Sequence, residues 1–240
     1  MGQSSSGVTS AGVERAGHPA RRSARLGLAL RGVLVSPVAG FGSLLEDSGR
    51  RTGRPGARTA AVFSALGGAA LSLLWLKAAG MAGIRDVSPR QYEWTLLAAT
   101  MLGGAVITVL AQALWSLAGP SVSRSLGSDA RGSDLRLVWG VALFPLIPTL
   151  VALLPLDLVL VGPRVFATSA LGESFATMWA AFSVAAQACA GAWSLYLFVR
   201  GTEAATRLDP LRAIAASAFG GVCLTAVAAI LVFAAIAIGG

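Results

Sequence analysis

The chain has 240 residues, of which 55% are hydrophobic and only 12% are charged, and its formal net charge is +8. Soluble domains carry about 25% charged residues, so this composition excludes an ordinary water-soluble fold and indicates an integral membrane protein. Every basic residue except Lys77 is an arginine, and the arginines lie between apolar runs. This pattern indicates that the positive charges orient the chain in the membrane and bind anionic lipid, and it disfavours nucleic acid as a partner.

The first 25 residues are rich in Ser, Gly, Ala and Arg and show no periodic apolar positions. We predict that they form a disordered basic tail, with His18 in solvent. They contain no signal-peptide apolar segment, so we expect the tail to be retained. MGQSSS matches the myristoylation pattern. The Ala/Arg/Gly-rich composition is typical of a GC-rich bacterial genome, however, and there we expect no such modification.

Residues 26–58 are predicted to form a cytoplasmic amphipathic or interfacial element. Their apolar part is divided by Arg31 and interrupted by Pro37, which makes it too short to cross a bilayer. Two placements fit equally well: a helix lying in the inner leaflet, or a short helix packed against the bundle. We predict that arginines of the tail and this element bind anionic lipid headgroups, namely Arg21, Arg22, Arg25 and Arg31.

Five apolar runs follow, each long enough to cross a hydrocarbon core, which takes about 20 residues as a helix. Helices satisfy all their backbone hydrogen bonds internally, as lipid requires. We therefore predict an all-α, polytopic membrane helical bundle with five transmembrane helices over residues 59–240. The predicted spans are 60–83, 94–118, 137–156, 175–199 and 211–238.

The basic residues alternate between the two sides of these spans. Nine arginines precede the first span, and three belong to each of the second and fourth connections, whereas the first and third loops hold two and one. The positive-inside rule then places the N-terminus in the cytoplasm and the C-terminus outside. With the bacterial composition, this predicts a protein of the bacterial inner membrane.

Paired glycines occur inside three of the predicted spans. Close backbone packing drives helix association in lipid, and small residues permit it. We predict helix-packing contacts at Gly67, Gly68, Gly103, Gly104, Gly220 and Gly221.

Three prolines lie in the third span, in the stretch LFPLIPTLVALLP. Pro145 and Pro148 are predicted to kink the helix in its inner half, with Thr149 and a neighbouring helix satisfying the freed carbonyls. Pro155 is predicted to mark the outer end of the span.

Lys77 and Gln187 are the polar side chains predicted inside the bilayer. Lys77 lies about 17 residues past the start of span one, or about 25 Å into a core of about 30 Å, so we expect it to extend to the outer interface. The alternative is a charge lining an outward cavity, paired with Asp157 or Glu173. We expect Gln187 to bond to a neighbouring helix.

The residue types that could carry catalysis or bind a metal favour a protein that is not an enzyme. One histidine in the tail and two cysteines in apolar runs do not form a conventional zinc site, and the sequence has no phosphate-binding Gly-Lys loop. We therefore expect no catalytic residue, cofactor or metal.

The segment SPVAGFGSLLED resembles the Pro-x-x-x-Phe motif of Yip1-domain proteins, with Pro37 and Phe41 in the two positions. Five spans with a cytosolic N-terminus also match that family, as does the stretch from Trp193 to Ala213. The eukaryotic Asp-Leu-Tyr-Gly-Pro signature is absent, so the resemblance implies a bacterial-type Yip1 protein and not a vesicle-trafficking role.

Two functions are consistent with these features. The first is a noncatalytic protein that organises membrane or partner proteins, with the lipid bilayer, anionic lipid, and a membrane-protein partner or homo-oligomer as its contacts. The alternative is a small transporter or permease subunit with a polar cavity between spans three and four.

Overall fold

In the computed structural model, residues 19–50, 54–81, 94–166 and 174–239 are described. Helices make up nearly all of these residues, with a short 3₁₀ helix at Gly162–Phe166. The α-helices in chain order are α1 (Pro19–Val35), α2 (Pro37–Arg50), α3 (Arg54–Met81), α4 (Trp94–Ser125), α5 (Gly132–Ala142), α6 (Leu146–Leu160), α7 (Ser174–Thr206) and α8 (Pro210–Gly239).

The predicted all-α bundle with five membrane-length helices is confirmed. The apolar segments long enough to cross a bilayer cover 56–81, 97–125, 132–160, 175–206 and 210–230. Both α4 and α7 continue about two turns past the predicted ends of their spans. Their last turns carry polar and charged residues, so hydropathy declines before the helix ends.

Helix α3 is the centre of the packing, in contact with α4, α5, α6 and α7, while α8 lies against α4 and α7. Two clusters of buried apolar side chains form the core. One includes Phe41 and Trp115 and lies where α1 and α2 join the bundle, and the other includes Leu73 and Phe166. The core is therefore shared between the two ends of the bundle.

The element before the first span is a pair of helices, of which α2 packs against α7 of the bundle. The chain bends at Ser36, and Gly40 lies so close to Val33 that a Cβ there would meet its backbone, which brings α1 and α2 together. Phe41 is fully buried and its ring lies against Gly201 of α7. The contacts therefore place α2 on the bundle and α1 on α2, and the choice between the two placements stays a prediction for α1.

Helix α1 also changes the predicted boundary of the tail. It begins at Pro19, so residues 19–25, which we expected to be disordered, are helical. The alanines and arginines of this stretch are strong helix formers, and they outweigh the missing apolar periodicity. The rest of the predicted tail, including His18 and the MGQSSS motif, lies outside the described residues.

The third span is interrupted between α5 and α6. Pro145 and Pro148 have no N–H to donate to the carbonyls four residues earlier, those of Val141 and Phe144. The Val141 carbonyl instead accepts from the N–H of Phe144 at 3.1 Å, and the Phe144 carbonyl accepts from the N–H of Ile147 at 3.0 Å. These bonds to the third residue back are the tighter 3₁₀ pattern, so the backbone itself compensates for both prolines.

Two expectations for this span are therefore corrected. The Thr149 hydroxyl donates to the carbonyl of Leu146 at 2.8 Å, and not to either carbonyl freed by a proline. Pro155 does not end the helix, since α6 continues to Leu160. The continuation places Asp157 inside the third span instead of in the loop that follows it.

Candidate functional site

A buried cluster of polar and charged side chains in the described part of the bundle joins three spans. It consists of Lys77 from α3, Asp157 from α6, and Ser183 and Trp179 from α7. The side chains of Lys77, Asp157 and Ser183 are completely buried. Charged residues inside a membrane are costly to bury, so a buried pair of them is a functional or structural site by default.

Hydrogen bonds connect all four side chains. Lys77 donates from Nζ to Asp157 Oδ2, with which it forms an ion pair, and to Ser183 Oγ at 3.0 Å. Ser183 Oγ donates to the same carboxylate oxygen at 3.1 Å. The other oxygen, Oδ1, accepts from Trp179 Nε1 at 2.9 Å. Both carboxylate oxygens are thus bonded, and the ammonium has two partners.

The helices place these groups by simple register. Trp179 and Ser183 are four residues apart, so they lie one turn apart on the same face of α7. Asp157 reaches that face because α6 continues through Pro155. Lys77 lies on the last two turns of α3, which packs against both helices.

The preferred expectation for Lys77 is wrong. Its side chain has no exposure and pairs with Asp157, so it does not extend to an interface. The alternative pairing with Asp157 is the one observed, although in a closed contact and not in an open cavity. Glu173, the other proposed partner, lies outside the described residues. The depth of Lys77 along span one predicted an extended side chain only because lipid was assumed to surround it. Another helix, and not lipid, is the neighbour of Lys77.

Gln187 lies one turn beyond Ser183 and is also completely buried. Neither amide atom of this side chain has a hydrogen-bond partner among the described residues, contrary to the expected bond to a neighbouring helix. Gln112 of α4 does make such a bond, from Nε2 to the carbonyl of Arg136 on α5 at 2.9 Å. The two buried amides therefore differ in a way that the sequence did not reveal.

Four of the six predicted packing glycines make close contacts. Gly68 and Gly104 bring α3 and α4 together so tightly that a Cβ on either would meet the backbone of the other helix. A Cβ on Gly67 would lie 2.6 Å from the Leu143 side chain, and one on Gly220 would lie 2.8 Å from the ring of Phe198. The remaining two have open space around them, and the packing prediction is wrong for Gly103 and Gly221.

The predicted lipid-binding arginines all belong to α1. Arg31 is exposed. The side chains of Arg21, Arg22 and Arg25 lie outside the described residues. The Yip1-like motif occupies the start of the next helix, where Pro37 is the first residue of α2 and Phe41 is its buried anchor.

A cavity of about 450 Å³ lies apart from the charged cluster, between the α5–α6 break, α7 and α8. Its walls are almost entirely apolar, with Leu143, Leu146, Phe198 and Leu224 among them. No charged side chain lines it. Among the residues that the structure describes, no group of three His, Cys, Asp or Glu side chains could hold a metal ion.

Trp179 is the member of the charged cluster that the sequence reasoning missed. The signal was available, because Trp179, Ser183 and Gln187 recur every four residues in an otherwise apolar span and so define one polar face of α7.

The chain matches no protein-family model, no curated protein and no solved structure. The resemblance to Yip1-domain proteins therefore rests on the order of the spans and on the motif at Pro37 and Phe41, and it stays a prediction.

Proposed function

We propose that the chain is a noncatalytic, Yip1-like integral membrane protein that organises membrane or partner proteins through helix packing and a basic cytoplasmic face. The main support is the closed bonding of Lys77, Asp157 and Ser183, which joins three spans. A pathway for polar solutes needs polar groups that are free to bind them. Here the charged groups bind one another, and the cavity of about 450 Å³ is apolar.

The proposed orientation has the N-terminus in the cytoplasm and the C-terminus outside. It is supported by the excess of arginines in the tail and in the second and fourth connections. The test uses a cysteine-free background (Cys189→Ala, Cys223→Ala) with one new cysteine in the second or third loop. A membrane-impermeant maleimide should label Thr168→Cys from outside and Asp129→Cys only after permeabilisation. The reverse pattern would overturn the orientation.

The basic face should bind anionic lipid through α1. Each arginine near the membrane surface contributes about 1 kcal/mol, and salt with a screening length of about 8–10 Å weakens it. The experiment measures how strongly spin-labelled phosphatidylglycerol is preferred over phosphatidylcholine by the protein in reconstituted membranes. Replacing the α1 arginines by Gln should reduce this preference and its dependence on salt (Arg21, Arg22, Arg25 and Arg31).

The matched control replaces the arginines of the first and third loops by Gln (Arg85, Arg90 and Arg164). If the basic face is the main site for anionic lipid, the control should reduce the preference by less than the α1 substitutions do. A preference that is insensitive to salt and equal in both variants would contradict the proposal for the basic face.

A second candidate is a small transporter or permease subunit. It is favoured by the buried Lys77–Asp157 pair next to Gln187, whose amide atoms have no partner. Proteoliposomes loaded with a pH-sensitive dye, under a potassium-diffusion potential, would report proton entry. A flux that is lost in Asp157→Asn and Gln187→Leu would support a proton-coupled transporter, and the absence of any flux above empty liposomes would contradict it.

A further inference from the structure

Helix α1 is apolar on two sides. One side packs on α2, where Val33 is 1% exposed, and Leu30 and Leu34 lie against the same buried cluster. The other side is open, with Leu28 and Val35 exposed to 68% and 78%. These two residues are seven positions apart, or about two turns, so they share one side of the helix. The packing of α1 on α2 therefore leaves a second apolar face uncovered.

The same helix carries only positive charge. Residues 19–35 contain four arginines and no acidic residue. Arg31 is exposed and lies three residues after Leu28 and four before Val35, so it is a neighbour of both on the helix surface. An arginine can lay its aliphatic stem along acyl chains while its guanidinium stays in a polar layer. Apolar side chains bordered by arginines are typical of a helix that lies in a membrane interface.

The contacts of α2 set the depth of this pair of helices. The ring of Phe41 lies against Gly201, five residues before the end of α7, or about 8 Å along its axis. Helix α7 has 33 residues and is about 50 Å long, so it extends about 10 Å beyond each side of a centred hydrocarbon core of about 30 Å. Phe41 therefore meets the bundle near the boundary of the core. Helix α3 begins four positions after α2 ends, which holds the other end of α2 at the start of the first span.

Charge complementarity indicates what covers the open face of α1. The same face of a second copy would bring four further positive charges and no negative ones, so the two would repel each other. Water would leave Leu28 and Val35 hydrated, which gives no stabilisation. An anionic leaflet supplies acyl chains for these two side chains and negative headgroups for the arginines.

We propose that α1 lies in the plane of the membrane, with Leu28 and Val35 inserted among the acyl chains of an anionic leaflet and its arginines at the level of the headgroups. The apolar face of such a helix reaches about 5–10 Å into the boundary between headgroups and acyl chains. The sequence fitted a leaflet and a bundle contact equally well, and the open face favours the leaflet for α1. The inference rests on the proposed basic face, to which it adds an apolar contact by two defined residues.

The test places one nitroxide spin label at Leu28→Cys or at Val35→Cys, in the cysteine-free background described above. The full chain is reconstituted in liposomes of phosphatidylglycerol and phosphatidylcholine. Collisions of the label with oxygen, which concentrates in hydrocarbon, are compared with collisions with a water-soluble nickel chelate. Val106→Cys, at an exposed position within the α4 span, is the reference for lipid. Asp129→Cys, at an exposed position in the second connection, is the reference for water.

The two reagents separate the three environments that could cover this face. Both α1 labels should collide often with oxygen and rarely with the chelate, as the Val106 label does. Frequent collisions with the chelate, as at Asp129, would place the face in water and overturn the proposal. Rare collisions with both reagents would mean that another protein segment covers the face, and this result would also overturn it.

The lipid-preference measurement separates this inference from the basic face on which it rests. A salt-sensitive preference for phosphatidylglycerol together with α1 labels in water would overturn the insertion and keep the basic face. Labels in lipid without that preference would support the insertion and contradict the basic face.

A matched pair of variants, Leu28→Glu and Leu28→Met, tests the apolar contact through the label at Val35. A carboxylate is costly below the headgroups, so Leu28→Glu should lower the ratio of oxygen to chelate collisions towards the value at Asp129. Leu28→Met keeps an apolar side chain of similar volume and should leave the ratio unchanged. The Val106 label should be the same in both variants, which shows that the bundle is intact. An unchanged ratio at Val35 in Leu28→Glu would contradict the insertion.

Discussion

The buried ion pair between Lys77 and Asp157 allows a quantitative prediction about the stability of the bundle. Asp157→Leu would leave the Lys77 ammonium with Ser183 as its only partner, at 3.0 Å. Removing one member of a buried pair costs about 3–5 kcal/mol, because the remaining charge stays in a low-dielectric site without compensation. We expect a loss of this size in the free energy of unfolding.

The reverse variant should be milder. Lys77→Met leaves the Asp157 carboxylate with two donors, Trp179 at 2.9 Å and Ser183 at 3.1 Å. Hydrogen bonds to a charged group contribute about 1.5–3 kcal/mol each, so we expect a cost of about 2 kcal/mol. The double variant removes both charges, and replacing a whole buried pair by apolar residues is often neutral or stabilising. It should therefore be more stable than Asp157→Leu alone.

Equilibrium unfolding in mixed dodecyl maltoside–SDS micelles, followed by circular dichroism, would measure all three variants. The control is Arg31→Met, which removes an exposed charge from α1 and should change stability by no more than about 0.5 kcal/mol. If the cost of the double variant equals the sum of the two single-variant costs to within about 0.5 kcal/mol, the reasoning is refuted. Such additivity would mean that the two groups do not interact.

Three further predictions use the same unfolding assay. Gly104→Leu should destabilise the bundle by about 1–3 kcal/mol or more, because α3 lies against that position. Gly103→Leu should be nearly neutral, because nothing lies near it. Equal losses of stability in the two variants would contradict the packing of α3 on α4. Gln112→Leu should cost about 0.5–1.5 kcal/mol by removing the bond to the Arg136 carbonyl, while Gln187→Leu should be neutral or stabilising. The opposite order would contradict the assignment of partners. Phe41→Ala should lower the free energy of unfolding by about 3–5 kcal/mol and expose α2 to proteolysis. Protection from protease equal to that of the wild type would show that this ring does not anchor the helix.

Much of the fold was predictable because lipid leaves the chain few choices. A segment of about 20 apolar residues in lipid must be helical, so composition was enough to identify five spans. Close packing by Gly68 and Gly104 followed from the same reasoning, since small residues allow helices to approach. Gly103 and Gly221 have the same local sequence character but no close neighbour, because sequence does not state which face of a helix meets another helix.

The candidate site was less predictable, and the reason lies in α6. Pro155 read as the end of a span, which placed Asp157 in a loop and left Lys77 without a partner in the bilayer. Helix α6 instead continues through Pro155 to Leu160, and this extension of about one turn brings a carboxylate against the lysine. A change of one turn in a single helix thus decided the bonding of the two buried charges.

By itself, the sequence determined that this protein is an all-helical membrane bundle with five spans, and it predicted the side of the membrane for each loop, because hydropathy and charge act on each segment alone. Only the tertiary structure decided which polar groups meet. It paired Lys77 with Asp157, left Gln187 without a partner, placed α2 against the bundle through Phe41, and opened a cavity beside the α5–α6 break. These outcomes depend on the rotation and register of one helix against another, which are set by packing among all the helices together.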